Sequence, residues 1–205
     1  MIPLFTNKSW SAESIALLKE QYEQIADFWM NEMREGTYAF FKHFEDFLQN
    51  RNNTQRGTVP CGSGRAYGVI NPQGDYFPCS RWGIHAKEEW SFGNIYEEFR
   101  EDAREKLLKG FDPEKFPPEC KSCIAQCICS GGCLAENLDT VGDPFGVIPE
   151  ACEIMRVWVK VGKRIHDTMF EEKNEVFMQR YYSNHCLCLP AQGCEAEPLL
   201  TDSQG

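Results

Sequence analysis

Eleven of the 205 residues are cysteine, and eight of the eleven fall between positions 61 and 152. Five crowd into the fourteen-residue stretch from Cys120 to Cys133. The spacing is C-x(12)-G-x(4)-C for Cys61, Gly74 and Cys79, then C-x(2)-C-x(5)-C-x(3)-C for Cys120, Cys123, Cys129 and Cys133, followed by Cys152, with Cys127 as an extra thiol inside the second group. Few folds accommodate so many thiols so close together. Either they pair as disulfides or they hold metal, and the choice depends on the compartment.

No apolar run approaches the roughly 20 residues that cross a bilayer, and Met1 to Trp10 lacks the basic and apolar regions of a secretory leader. The expectation is a cytoplasmic protein that does not enter a membrane, in which clustered thiols read as metal ligands. The net charge of -10 and the lack of a Lys/Arg stripe argue against a nucleic-acid partner, because phosphate-backbone affinity comes from positive charge. With 42% hydrophobic and 13% aromatic residues, the chain can build a packed core.

Thiolates are soft ligands, and the two-residue spacer of Cys120 and Cys123 brings two sulfurs to one centre. Gly131 and Gly132 allow the backbone angles of a tightly wrapped loop. Thiol chemistry alone leaves structural zinc and iron-sulfur clusters both open.

Around the cysteines the pattern is α+β. Ile15, Leu18, Tyr22, Ile25 and Trp29 recur at helical spacing from a Ser11 cap to about Arg34, and Tyr38 to Leu48 repeats the pattern with Phe40, Phe41, Phe44, Phe47 and Leu48. The aperiodic polar stretch Gln49 to Thr58 reads as a linker. A β-hairpin is expected from Ala66–Ile70 and Asp75–Pro78 around the turn Asn71-Pro72-Gln73-Gly74. Asn94 looks like the cap of a helix that runs to Lys109, with Glu97 at the capping-box position and Gly110 as the stop. The prolines of Phe111 to Pro118 predict extended loop, and a last long helix is predicted from Glu150 to about Phe170, with Ile154, Trp158, Val161 and Ile165 on one face. Beyond it the chain turns polar and irregular, and a poorly ordered tail is expected. His43, His85, His166 and His185 are scattered and read as surface or core residues rather than ligands. Cys186, Cys188 and Cys194 read as free thiols of the tail.

The full pattern, together with Phe77-Pro78-Cys79, Phe92-Gly93-Asn94-Ile95 and Cys129-Ser130-Gly131-Gly132-Cys133, resembles the SPASM domain, the C-terminal extension of radical S-adenosylmethionine (radical SAM) enzymes that modify peptides and proteins, anaerobic sulfatase-maturing enzymes among them. The resemblance covers about residues 58 to 165. It implies a small, irregular, cysteine-rich domain with a β-hairpin and flanking helices at 58–170, preceded at 1–57 by the helical end of a radical SAM barrel and followed at 171–205 by the tail. It also implies two auxiliary [4Fe-4S] clusters, the first on Cys61, Cys79 and Cys133 and the second on Cys120, Cys123, Cys129 and Cys152, serving electron transfer or substrate binding. Some relatives supply a fourth cysteine to the first cluster from just before the Cys61 position. Here residues 55 to 60 contain none, which leaves an open iron site or a place for Cys127.

The C-x(3)-C-x(2)-C loop that holds the S-adenosylmethionine-cleaving cluster in that family is missing: Cys129 and Cys133 begin it, but position 136 is Glu136. S-adenosylmethionine and a third [4Fe-4S] cluster thus belong to a barrel outside these residues. The chain is expected to be part of a radical SAM oxidoreductase or maturase without being catalytic alone. Its implied partners are a peptide or protein substrate, the barrel in the same chain or in trans, and an electron donor or acceptor. The other expectation is a free-standing iron-sulfur or zinc module for electron transfer or peptide docking.

Overall fold

The computed structural model describes residues 10–52, 61–85, 88–110 and 115–183. Helix α1 runs Ala12–Arg34, opened by the Ser11 hydroxyl accepting from the Ser14 N–H at 3.1 Å. This cap satisfies one of the N–H groups that every helix start leaves unpaired. Helix α2 follows at Lys42–Asn50. Two short strands, β1 (Val69–Ile70) and β2 (Tyr76–Phe77), pair antiparallel with Val69 opposite Phe77. Then come α3 (Ser80–His85), a 3₁₀ turn at Glu88–Trp90, α4 (Glu101–Lys109), α5 (Pro118–Lys121), a 3₁₀ turn at Ile124–Cys127, α6 (Leu134–Val141), α7 (Pro149–Glu171) and α8 (Glu175–Tyr182). The α+β expectation holds: one two-stranded sheet among helices.

Two hydrophobic cores organise these elements. In the first, Tyr22, Ala26, Trp29, Met30 and Met33 of α1 and Phe44, Phe47 and Leu48 of α2 pack on Val161, Ile165 and Met169 of α7, with Phe177 of α8 closing one end. The helices expected in the segment 1–57 therefore share a core with the last long helices of the chain. The close fit shows at Gly162, where a methyl group would lie 2.5 Å from the Phe47 ring. Arg164 of α7 reaches Asp27 at 2.7 Å, and Arg34 reaches Glu172 at 2.5 Å. The second core gathers Phe77, Trp82, Trp90 and Phe92 with Ala103 and Leu107 of α4 and Leu134, Ala135 and Leu138 of α6.

Several expectations need correction. Ile25 and Phe40 are exposed, because the buried stripe of α1 follows Tyr22, Ala26, Trp29 and Met33 and because α2 starts only after Phe41. Asn94 does not cap a helix. Its amide nitrogen donates to Asp75 Oδ1 at 2.9 Å and to the Gln73 carbonyl at 3.1 Å, its Oδ1 accepts from the Tyr96 N–H at 3.1 Å in a local turn, and Gly93 just before it takes φ +106°. Helix α4 consequently begins seven residues later at Glu101, where Glu101 and Asp102 favour the positive helix start. Ile95 and Phe99, which lie within the helix expected from Asn94, are left exposed. Gly110 does end α4 but with an ordinary φ of -68°. It is required because the Phe145 ring would lie 1.9 Å from an added methyl group. Of the proline-rich loop, residues 111–114 lie outside the described residues, and Pro118 already starts α5.

The first part of the stretch expected to be an irregular tail forms a further helix, α8, and residues 184–205 lie outside the described residues. Asn174 caps α8, which places Phe177 fully inside the first core. Tyr38, Tyr181, Gln49 and Arg180 converge on the buried carboxylate of Glu45: both phenols donate to Oε1, Gln49 donates to Oε2 at 2.7 Å and Arg180 stands 3.5 Å away. Glu45 thus ties α8 to α2. Desolvation and the hydrogen bonds to this carboxylate hold both tyrosines protonated well above the usual phenol range. Glu45→Ala leaves two phenols, an amide and a guanidinium without their buried partner, and should cost about 3 kcal/mol. Tyr181→Phe, removing one neutral donor, should cost about 1 kcal/mol. Chemical denaturation measures both, and a Glu45→Ala protein as stable as the parent would contradict the role given to this carboxylate.

Candidate iron-sulfur site

Each cysteine group belongs to a different core. Cys123, Cys127 and Cys129 pack against the first core beside Ala125, whereas Cys79 and Cys133 pack against the second. The loop from Cys120 to Cys133 therefore passes from one core to the other. α5 supplies Cys120, and Cys123 opens the 3₁₀ turn, its sulfur accepting from the Ala125 N–H at 3.5 Å. Backbone N–H groups directed at sulfur stabilise negative charge there, a device that tunes metal-thiolate centres.

After Cys129 the chain wraps through Gly131 and Gly132, at φ +90° and +91°. A methyl group on Gly131 would lie 2.8 Å from the Phe116 ring. Buried Asn137 fastens this wrap by donating to the carbonyls of Gly131 at 2.8 Å and Pro144 at 3.1 Å. Cys133 then occupies the cap position of α6, and Cys152 sits in the first turn of α7.

The electrostatics divide the thiols in two. Burial pushes Cys152 up to about 11, and Cys129, Cys120 and Cys123 push it the same way while Arg156 pulls it down. A thiolate beside other thiolates is disfavoured, so these four sulfurs occupy one neighbourhood. Tyr67, on the loop before β1, marks the second neighbourhood. Burial raises its phenol, and Cys61, Cys79 and Cys133 add to the rise, Cys61 also through a hydrogen bond. Cys61 is exposed and the others are half-buried.

Cys152 and Tyr67 thus lie near different cysteines, Cys120, Cys123 and Cys129 in one case and Cys61, Cys79 and Cys133 in the other. Cys127, whose Sγ lies 4.0 Å from the Ile124 carbonyl, packs with Cys123 and Cys129 rather than with the set around Tyr67. Residues 55–60, Cys186, Cys188 and Cys194 lie outside the described residues.

All seven donors are thiols, the ligand type that suits iron-sulfur clusters. Among the described residues no three His, Cys, Asp or Glu side chains converge closely enough to hold one metal ion. His43 lies tilted against Trp158 with ring centroids 4.2 Å apart and pairs with Tyr22, and His166 pairs with Tyr182 and Asp167, so both are packing residues. Cysteine spacing does not reveal Tyr67, Asn137, Arg81 or Glu136. The only sequence signal for the last two is position, Arg81 two residues after Cys79 and Glu136 three after Cys133.

Asn137→Ala should cost about 2 kcal/mol, since two loop carbonyls lose their donor. Hydrogen exchange should report faster opening of residues 129–133, and unchanged protection there would contradict the role of Asn137.

Comparison with known proteins supports this reading. The family model of SPASM, an iron-sulfur cluster-binding domain, matches residues 61–124. The match includes Cys61, Cys79, Cys120 and Cys123 and ends before Cys129, Cys133 and Cys152. A solved structure described as native anSMEcpe with bound AdoMet aligns at a TM-score of 0.55 and 17% identity, covering 82% of this chain and 46% of its own. A hexahistidine-tagged form of anSMEcpe with bound AdoMet aligns at 0.53 and 17%, covering 89% and 48%. The chain spans about half the length of these structures. No curated protein matches it significantly. Residues 61–124 are thus similar to an iron-sulfur cluster-binding domain of the SPASM type, in a chain whose fold resembles about half of each of those two structures.

Proposed function

We propose that the chain binds two auxiliary [4Fe-4S] clusters, the first through Cys61, Cys79 and Cys133 and the second through Cys120, Cys123, Cys129 and Cys152, as the C-terminal part of a radical SAM enzyme that modifies a peptide or protein. What supports this is that Cys123 and Cys129 pack on the first core and Cys79 and Cys133 on the second, in a chain whose residues 61–124 match an iron-sulfur cluster-binding domain. When bound, such clusters supply one-electron transfer or a site for a substrate group. The protein's own part is to hold the thiols, release their protons to the metal and exclude water on the core side.

Two surfaces support a larger assembly. While one face of α1 is buried on α7, Leu17 and Phe28 remain 57% and 61% exposed. A helix that is apolar on two sides calls for a second partner, and a catalytic barrel, in the same chain or in trans, is the proposed one. A cavity of about 150 Å³ lies beside the first thiol group, lined by Arg65, Tyr67, Tyr76, Phe92, Phe99 and Arg104. With aromatic walls and arginines at its edge, it is a suitable place for a substrate side chain to dock near Cys61. No described helix is long and apolar enough to cross a membrane, and a cytoplasmic setting is proposed with the rest.

Anaerobic reconstitution with iron and sulfide should load about eight irons per chain, as two four-iron clusters require. Cys123→Ala and Cys79→Ala should each retain about half the iron, and their EPR signals should differ and sum to that of the parent. A parent chain that takes up only zinc, or single variants that both lose all iron while staying folded by circular dichroism, would overturn the proposal. Supplying a separate radical SAM barrel tests the assembly. Binding that is weakened by Leu17→Glu together with Phe28→Glu supports it, and binding indifferent to both places the barrel contact elsewhere.

A further inference from the structure

Two charged groups outside the cysteine pattern stand against Cys133. Arg81 Nη1, on α3, donates to Cys133 Sγ at 3.6 Å and also binds Oε2 of Glu136. Glu136 lies in the first turn of α6 with its side chain only 6% exposed, and that of Arg81 is 26% exposed. A buried carboxylate costs several kcal/mol unless it is paired, so the guanidinium is fixed where it stands. Its planar fork allows one nitrogen edge to serve carboxylate and sulfur together, which a lysine ammonium does with less geometric control. The positive charge therefore faces the thiol, with its counter-charge alongside.

We infer that Arg81, pinned by Glu136, is a positioning residue that orients the Cys133 sulfur and raises the reduction potential of the cluster held by Cys61, Cys79 and Cys133. The inference rests on the cluster sites proposed above. A fixed cation beside a ligand sulfur stabilises the state that carries one more electron, and hydrogen bonds to sulfur act the same way. Glu136 opposes the effect while keeping its source in place, so the two side chains have opposite electrostatic signs.

The test is a mediated redox titration of reconstituted protein, following the EPR signal that Cys79→Ala removes, with iron and sulfide counted in each sample. Arg81→Gln should lower the potential, so that at a fixed poise the ratio of reduced to oxidised first cluster falls about tenfold, or ~59 mV for one electron. The second cluster should titrate as in the parent. Arg81→Lys should recover part of the shift. Glu136→Gln, which keeps an acceptor for the guanidinium, should raise the potential.

Full iron loading with an unmoved potential in Arg81→Gln would overturn the role of Arg81 alone. If Arg81→Gln loses the first cluster, Glu136→Gln decides: an upward shift supports the inference, and no shift or a downward one overturns it. A parent chain without iron would defeat the cluster reading and this inference with it.

Discussion

One loop, Cys120 to Cys133, is shared by two hydrophobic cores, and the rest of the molecule depends on that sharing. Its first part packs with α1, α2 and α7, and its last cysteine packs with the hairpin, α4 and α6. Short hydrogen-bonded turns shape its first part, while its last part rests on Asn137 and two glycines at positive φ. Burial and neighbouring thiols favour the protonated, neutral form of Cys152 without metal. Bringing several thiolates together is unfavourable until cations neutralise them, which couples metal binding to folding. A metal centre in each thiol group, as proposed, would fasten the two cores to the one loop.

The division also gives the likeness to longer solved structures a physical meaning. The first core is built from α1 and α2 at one end of the sequence and α7 and α8 at the other, and it carries the exposed apolar residues of α1 on its outer side. The second core carries the hairpin, the cavity and the exposed Cys61. The proposed electron route or substrate site and the proposed barrel contact therefore lie on different cores, connected through the cysteine loop.

Much of this was legible in the sequence where one interaction dominates. α1 and α7 announce themselves because long apolar stripes must be buried. The hairpin turn is explicit because Asn71 and Gly74 fit few other conformations: the Gly74 N–H closes on the Asn71 carbonyl at 3.0 Å, and Gly74 takes φ +91°. Cysteine spacing pointed to the SPASM resemblance, and the SPASM family model matches residues 61–124. The reading failed where a residue has competing local and distant partners. Asn94 has the chemistry of a helix cap but finds Asp75 and Gln73 across the hairpin, and the helix starts late as a result. α8 was missed because its eight residues carry a single fully buried side chain, Phe177, and its anchoring to Glu45 joins residues 136 apart. Arg81 and Glu136, 55 apart, were invisible for the same reason.

The central claim is that seven sulfurs serve two metal centres, one on each core. Anomalous diffraction at the iron edge from crystals of anaerobically reconstituted protein tests it most directly. The account requires two separate iron peaks of cluster size, one among Cys61, Cys79 and Cys133 and one among Cys120, Cys123, Cys129 and Cys152. A single peak that draws on both sets, or sulfurs joined pairwise with no iron between them, would contradict it.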